Sequence, residues 1–316
     1  MLESKATSTV GLTVKDFAVL FGVTTDELPK ACRDFASAYD FRYDAPDAKS
    51  RDGIILQVLQ HIDSDKPTKV GEHRAGIWES CWSENLQNFV AGGHDLERLV
   101  PKFLKPGQPV RLNRNYVYPT NPQFELDFFQ VCRAFLFDRY FAKSKSVYEF
   151  GCGSAFNLVA LSKQFPQIKL YGLDWSKSSY ETVNMLSKSH GLRIQGLPFN
   201  FFEPDRNLDL DPESGVLTMC ALEQIGSRHE PFVDYLLAKR PRICVNMEPL
   251  LDLYDESNLV DYLAIRYHRK RGYLEGYLPR LKKLQSQGKI EIIETKRFFF
   301  GSLYHEGYSY VAWRPL

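Results

Sequence analysis

Two glycines, Gly151 and Gly153, stand directly after the β-prone run Val147-Tyr148-Glu149-Phe150 and just before Phe156, Leu158, Val159 and Leu161, which recur at helical spacing. Strand, glycine turn and helix in that order let the backbone bend sharply and a ligand come close. Glu149 sits at the mouth of the turn. Asp174 ends the next strand-like run, 21 residues past Gly153. An acid in that position can accept hydrogen bonds from a ribose diol. Glu223 and Glu248 each follow a later strand-like run and could remove a proton from a substrate. Pro249 fixes a turn beside Glu248, which favours a shaped site there. His268 lies in Tyr267–Tyr273, the densest basic cluster of the chain, and joins the two glutamates as a catalytic candidate.

The elements that must position these groups come in two textures. Up to about residue 115 the sequence reads as helices: Val14–Leu20, Leu28–Phe35 capped by Thr25 or Asp26, Asp52–Ile62, and Trp78–Val90. A proline-rich connector over 101–119 follows, carrying Arg111, Arg114, Tyr116 and Tyr118. Asn121-Pro122 is a cap-and-first-turn signal for a helix reaching Tyr140. From Val147 strands alternate with helices. The strand expectations are 147–150, 169–173, 193–201, 215–221, 242–247, 290–299 and 308–314, with helices over 155–165, 176–189, 229–238 and 257–286. This alternation predicts an α/β fold with a mostly parallel sheet covered on both faces. The last two runs are too close for a crossover helix, so the final strand is antiparallel. The organisation is a mainly helical N-terminal cap, residues 1–115, and a seven-stranded Rossmann-like domain, 116–316.

Bulk composition narrows the partners. The chain has 316 residues, 44% apolar and 25% charged, with a net charge of +1. No global field argues for nucleic acid or a membrane surface. No apolar run approaches the ~20 residues of a membrane helix, and the N-terminus lacks a signal pattern. Cys32, Cys81, Cys132, Cys152, Cys220 and Cys244 have neither C-x-x-C nor zinc-finger spacing, so they read as reduced thiols in a cytoplasmic protein. No set of side chains has metal-ligand spacing.

The turn chooses among nucleotide ligands. A dinucleotide needs a third glycine where Phe156 stands, and a Walker loop is missing. Glu149 would repel a pyrophosphate but suits a cationic ligand. A nucleoside without phosphates remains. Glu149-Phe-Gly151-Cys-Gly153-Ser-Ala155 resembles motif I of the class I S-adenosylmethionine-dependent methyltransferases, with Ala155 in place of a third glycine. Gly172-Leu-Asp174-Trp175-Ser resembles that family's second motif. Leu197-Pro-Phe-Asn200-Phe201 resembles its third-strand segment, and Val216-Leu-Thr-Met-Cys220-Ala-Leu-Glu223 its fourth-strand motif. The resemblance covers roughly 121–316. It implies S-adenosylmethionine as cofactor, held by Glu149, Gly151, Cys152, Gly153, Asp174, Trp175, Asn200, Phe201 and Cys220.

The expected acceptor is a small polar molecule, a sugar or secondary metabolite among the candidates, methylated on oxygen or nitrogen. Trp82, Tyr118, Tyr267 and Arg271 are the candidate acceptor-binding residues. Trp78 and Trp82, four apart on one helix, read first as core packing and second as a stacking wall. Arg269, Lys270 and Arg271 read as a solvated helix face or as the rim of an anion site. His229 is expected at the surface, and His305-Glu306 in a solvated turn. Methylation of a protein or RNA, and a non-catalytic S-adenosylmethionine-binding module, are the other two readings. Fold alone does not name an acceptor.

Overall fold

The computed structural model describes residues 9–316. In chain order the elements are β1 (Val10–Gly11), α1 (Val14–Phe21), α2 (Lys30–Ala38), β2 (Arg42–Asp44), α3 (Ala48–Asp63), α4 (Ala75–Ala91), β3 (Val110–Leu112), β4 (Asn115–Pro119), α5 (Phe124–Phe141) and β5 (Ser146–Phe150). Then follow α6 (Phe156–Gln164), β6 (Lys169–Asp174), α7 (Lys177–His190), β7 (Ile194–Pro198), β8 (Gly215–Met219), α8 (Glu230–Lys239), β9 (Ile243–Met247), α9 (Leu259–Arg271), α10 (Tyr277–Ser286), β10 (Ile290–Lys296), β11 (Phe300–Gly301) and β12 (Tyr310–Pro315).

The main sheet has seven strands in the order β10-β12-β9-β8-β5-β6-β7. Strands β5 to β9 run parallel, and β12 runs antiparallel to both β9 and β10. Every residue of β5, β8 and β9 is buried, because helices cover both faces. The chain leaves β5 toward β6 on one side and meets β8 on the other. This strand is therefore the switch point at which open parallel sheets take their ligands. Asn246 of β9 anchors α10 below the sheet: its Oδ1 accepts from the Tyr277 hydroxyl at 2.7 Å and from the Trp313 indole at 2.8 Å.

Four expectations are corrected. The connector over 101–119 contains a hairpin, β3–β4, turned by Asn113 and Arg114, both at positive φ. It belongs to a second sheet of order β1-β2-β4-β3-β11. The single helix over 257–286 is two helices, because Gly272 and Gly276 both take the left-handed conformation and end the ladder. The strand over 193–201 stops at Pro198, where Asn200 turns the chain by accepting the Phe202 amide on its side chain. Helix α2 begins at Lys30 behind Pro29, with no side-chain cap from Thr25 or Asp26.

The first part of the chain shares its core with the rest. Phe17 and Phe21 of α1 pack on Phe128 and Phe135 of α5 and on Phe298. Helix α4 lies across the carboxyl edge of the sheet. Its Glu79 accepts from the hydroxyls of Ser176 and Ser178, each at 2.6 Å, at the start of α7. A carboxylate there suits the unsatisfied amides and positive end of a helix. No helix among the described residues is long and apolar enough to cross a membrane.

Candidate active site

A cavity of about 410 Å³ opens at the carboxyl edge over β5. The glycine turn forms its floor. Gly151 and Cys152 donate backbone N–H groups to Leu173 O at 2.7 and 3.1 Å, extending the β5–β6 ladder past the strand end. Gly153 has φ +51°, and a Cβ there would stand 2.7 Å from the Trp82 ring. The indole of α4 thus lies directly on the turn, and only glycine fits beneath it. Asp174 ties the floor to the wall: its Oδ2 accepts the Gly153 amide at 3.0 Å and its Oδ1 the Ser176 amide at 2.9 Å. Burial raises the Asp174 carboxyl to about 6 against these stabilising amides.

Glu149 lies just under the turn. Asn157 donates to its Oε1 at 2.7 Å and accepts from Arg133 at 3.2 Å, so Asn157 links a buried acid to a buried guanidinium. Glu149 Oε2 has no partner, and burial pushes the group up to about 8. Arg133 also donates to Phe156 O and lies 4.0 Å over the Phe156 ring. It thereby holds the start of α6, where Ala155 adopts φ +63° with no side-chain cap.

Of the residues expected to hold the cofactor, Gly151, Cys152, Gly153, Asp174, Trp175, Phe201 and Cys220 line the cavity. Phe202 lies 5.8 Å from Trp175 and completes an aromatic corner. Glu149 and Asn200 stand behind that lining; the Asn200 side chain is used in its own turn. Cys220 takes φ +52° past β8 and directs its thiol to Gly307 O at 3.4 Å.

The catalytic candidates separate. Glu223 lines the cavity, with Oε1 accepting from Gln224 at 2.7 Å and Oε2 without a partner. Burial, then the neighbouring Glu248, raise it to about 8. Glu248 is fully buried outside the cavity. Its two oxygens accept the amides of Ala221 and Glu223 at 3.2 and 3.3 Å, so it shapes the turn that carries Glu223. His268 is also buried outside the cavity, against Tyr254, Tyr273 and His305. Both its ring nitrogens lack partners, and burial keeps it neutral by lowering it well below its ordinary value.

Among the acceptor candidates, Trp82, Tyr267 and Arg271 line the cavity. Tyr118 is exposed on β4, where its backbone pairs with Asp44, and does not reach the cavity. Trp78 and Trp82 are half-buried, stacked at 5.9 Å, and both face the cavity rather than a core. The basic cluster divides by helix face: Tyr267, His268 and Arg271 point inward, while Arg269 pairs with Glu256 in solvent.

Several lining residues carried no obvious signal. His61, Glu125, Asn157, Tyr273, Tyr304 and His305 all face the cavity. His305-Glu306 is not a solvated turn. Glu306 is buried and pairs with Arg297 at 2.6 Å, and Arg297 also binds Asp261 of α9 at 2.5 Å. His305 stands in the wall as a neutral imidazole, held down to about 3 by burial and by Arg111 and Arg271. His229, expected at the surface, is buried, with its Nε2 at 3.1 Å from Glu275 O. Glu125 accepts the Tyr308 hydroxyl at 3.0 Å, leaves Oε2 without a partner, and is raised to about 7 by burial. Among the described residues no group of three His, Cys, Asp or Glu side chains is arranged to hold a metal ion.

A seven-stranded, mostly parallel sheet of this order, with the glycine turn at its switch point, is a Rossmann-like fold. No protein-family model and no curated protein matches the chain. Solved structures with a similar fold include LaPhzM, at 16% identity over 61% of this chain and 57% of that one, TM-score 0.45. The plantazolicin methyltransferase BpumL, solved with a desmethyl-plantazolicin analogue and S-adenosylhomocysteine, matches at 14% identity over 77% of this chain and 97% of its own, TM-score 0.41. The O-methyltransferase NcsB1 of neocarzinostatin biosynthesis, solved with S-adenosylmethionine and 2-hydroxy-5-methyl naphthoic acid, matches at 15% identity over 96% of this chain and 89% of its own, TM-score 0.41. This chain spans little more than half the length of LaPhzM.

Proposed function

We propose that the protein is an S-adenosylmethionine-dependent methyltransferase acting on oxygen or nitrogen of a small polar acceptor. One observation carries the reading. A single cavity joins the glycine turn, Asp174, Trp175 and Phe201 to Glu223, Tyr267, Arg271 and His305. The residues present suit the cofactor. Glu125, in the cavity wall, buries a carboxyl oxygen without a partner, which favours a ligand with cationic and amine groups. The donor set holds no loop for a pyrophosphate. When bound, S-adenosylmethionine supplies a methyl group already activated by a positively charged sulfur.

The chain's own residues have separable tasks. Asp174 keeps lone pairs free beyond its two amide bonds and can accept from ribose hydroxyls. Trp175, Phe201 and Phe202 offer flat apolar faces for the adenine. Glu125 and Asn157 stand at the edge of the turn, ready to take the amine end. At the far end, a group that removes the acceptor's proton works best with a pKa near the working pH. Glu223, raised to about 8, meets this condition; His305, held near 3, does not. Glu223 Oε2 therefore takes the proton from the acceptor, and Glu248 sets the turn that presents it. His305 orients the acceptor. Residues 1–115 act as the cap: α4 closes the cofactor end with Trp82, and α3 contributes His61 to the acceptor end.

The test is calorimetry with S-adenosylmethionine and S-adenosylhomocysteine, followed by a methyl-transfer screen with radiolabelled donor over small molecules, proteins and RNA. Binding of both ligands and label in a small molecule is expected. Label confined to protein or RNA moves the reading to a macromolecular acceptor. Binding without any transfer leaves a non-catalytic module.

A further inference from the structure

Two guanidinium groups, Arg271 in the cavity wall and Arg74 behind it against Gln224 and Trp78, have no carboxylate partner among the described residues. Arg271 is 9% exposed and lines the cavity. Its Nε has no partner, and Nη1 reaches only the Thr68 hydroxyl at 3.5 Å. Arg74, just before α4, donates from Nη1 to Gln224 at 3.3 Å, and its Nε is likewise unpartnered. Partial burial, and then the charge of Arg271, push Arg74 below its ordinary value. Two uncompensated cations in a half-buried site are costly unless an anion completes them.

The neighbouring side chains do not supply that anion at neutral pH. Glu223 rises to about 8, and His268 and His305 are neutral. Lys105 adds a further positive charge at the rim. The walls beside the arginines are flat. Tyr304 stacks on His61 at 4.3 Å and on Tyr267 at 5.2 Å, with interplanar angles of 28° and 18°. Arg271 itself lies 4.9 Å over the Tyr273 ring, which holds its planar fork in place. A fork of N–H donors matches a carboxylate, and a parallel stack of rings matches another flat ring.

We infer that the acceptor is a planar aromatic acid whose carboxylate is bound by Arg271, with the positive charge of Arg74 behind the wall, and whose ring lies against the Tyr304–Tyr267–His61 stack. Calling this ligand the acceptor rests on the methyltransferase reading; the anion site does not. The experiment titrates 4-hydroxycinnamate and 3-hydroxy-2-naphthoate, and the methyl ester of each, into the full chain, with S-adenosylhomocysteine titrated separately. Calorimetry reports binding. Each acid should bind about tenfold or more tightly than its ester, the size of a charge-assisted hydrogen bond. Arg271→Gln should abolish this preference and Arg271→Lys retain part of it. Esters binding as well as acids, no binding by either acid, or an undiminished preference in Arg271→Gln would overturn the inference. Absence of S-adenosylhomocysteine binding would instead remove the methyltransferase reading, while the acid preference stays measurable.

Discussion

The Gly153 amide donates to the Asp174 carboxylate at 3.0 Å, so the glycine turn and the end of the second parallel strand are joined directly. The groups that would meet the two ends of a nucleoside are thus set relative to one another by one bond of the protein. Asp174→Ala removes this tie together with the acceptor for ribose hydroxyls. Affinity for S-adenosylhomocysteine should fall by roughly 1.5–3 kcal/mol. Calorimetry measures it, and unchanged affinity would remove Asp174 from the site.

Gly153→Ala faces two obstacles, a positive φ and the Trp82 ring 2.7 Å from the new Cβ. Thermal denaturation should show a loss of about 1–2 kcal/mol. Adding Trp82→Ala should recover only the steric part. Full recovery in the double variant would mean that the backbone conformation contributes nothing.

Ala155 offers the opposite change. It is a non-glycine residue at φ +63°, in the position where the resembling motif carries glycine. Ala155→Gly should stabilise the protein by up to about 1 kcal/mol in urea denaturation, the left-handed strain outweighing the added chain entropy.

The pH dependence above neutrality follows from four buried acids; Asp174, at about 6, has titrated below it. Burial raises Glu125 and Glu248 to about 7 and Glu149 and Glu223 to about 8, from an ordinary value of 4.5. Groups raised on folding bind protons more tightly in the native state. Their contribution is full below pH 4.5 and is lost as pH rises through 7 to 8. Below pH 6.5 the buried neutral His268 and His305 act in the opposite sense, so the ligand-free protein should lose melting temperature between pH 6.5 and pH 8, and Glu223→Gln should flatten part of that slope. Turnover should rise with pH, reaching half its maximum near 8 in the wild type; wild-type turnover in Glu223→Gln would sink its role as base.

Arg297 is buried between Asp261 and Glu306 with four side-chain hydrogen bonds. Arg297→Met strands two carboxylates in the interior. Urea denaturation should show a loss of about 3–5 kcal/mol. A loss below 1 kcal/mol would mean that water reaches the pair.

The sequence carried the sheet and the glycine turn because both are local. Strand, turn and helix around Gly151 and Gly153 lie within twenty residues, and hydrophobic spacing reveals each. The far end of the cavity was only partly legible because it is assembled from distant parts: Tyr267 and Arg271 stood out in the basic cluster, while His61, Tyr304 and His305 share no local pattern. Composition near His305 reads as a solvated turn, and only the partner Arg297 shows why Glu306 is buried. Glu248 ends a strand just as Glu223 does, and only its bonds to the 221 and 223 amides assign it to support rather than chemistry. Tyr118 lost its place for a related reason, since the hairpin turned at Asn113-Arg114 sends its side chain outward.

The short strand β11 has a consequence for how this protein could change. It carries the chain out of the main sheet into the small one, pairing with β3 before the chain returns along β12. Residues 302–308 are thus held by one sheet at each end and clamped by Arg297 in the middle. Elsewhere, surface loops that shape a substrate can be exchanged with little cost to the fold. Here the wall bearing Tyr304 and His305 is a keystone between two sheets, so alterations in acceptor choice should arise from α3, α4 and α9, whose facing side chains can vary without unlocking the sheets.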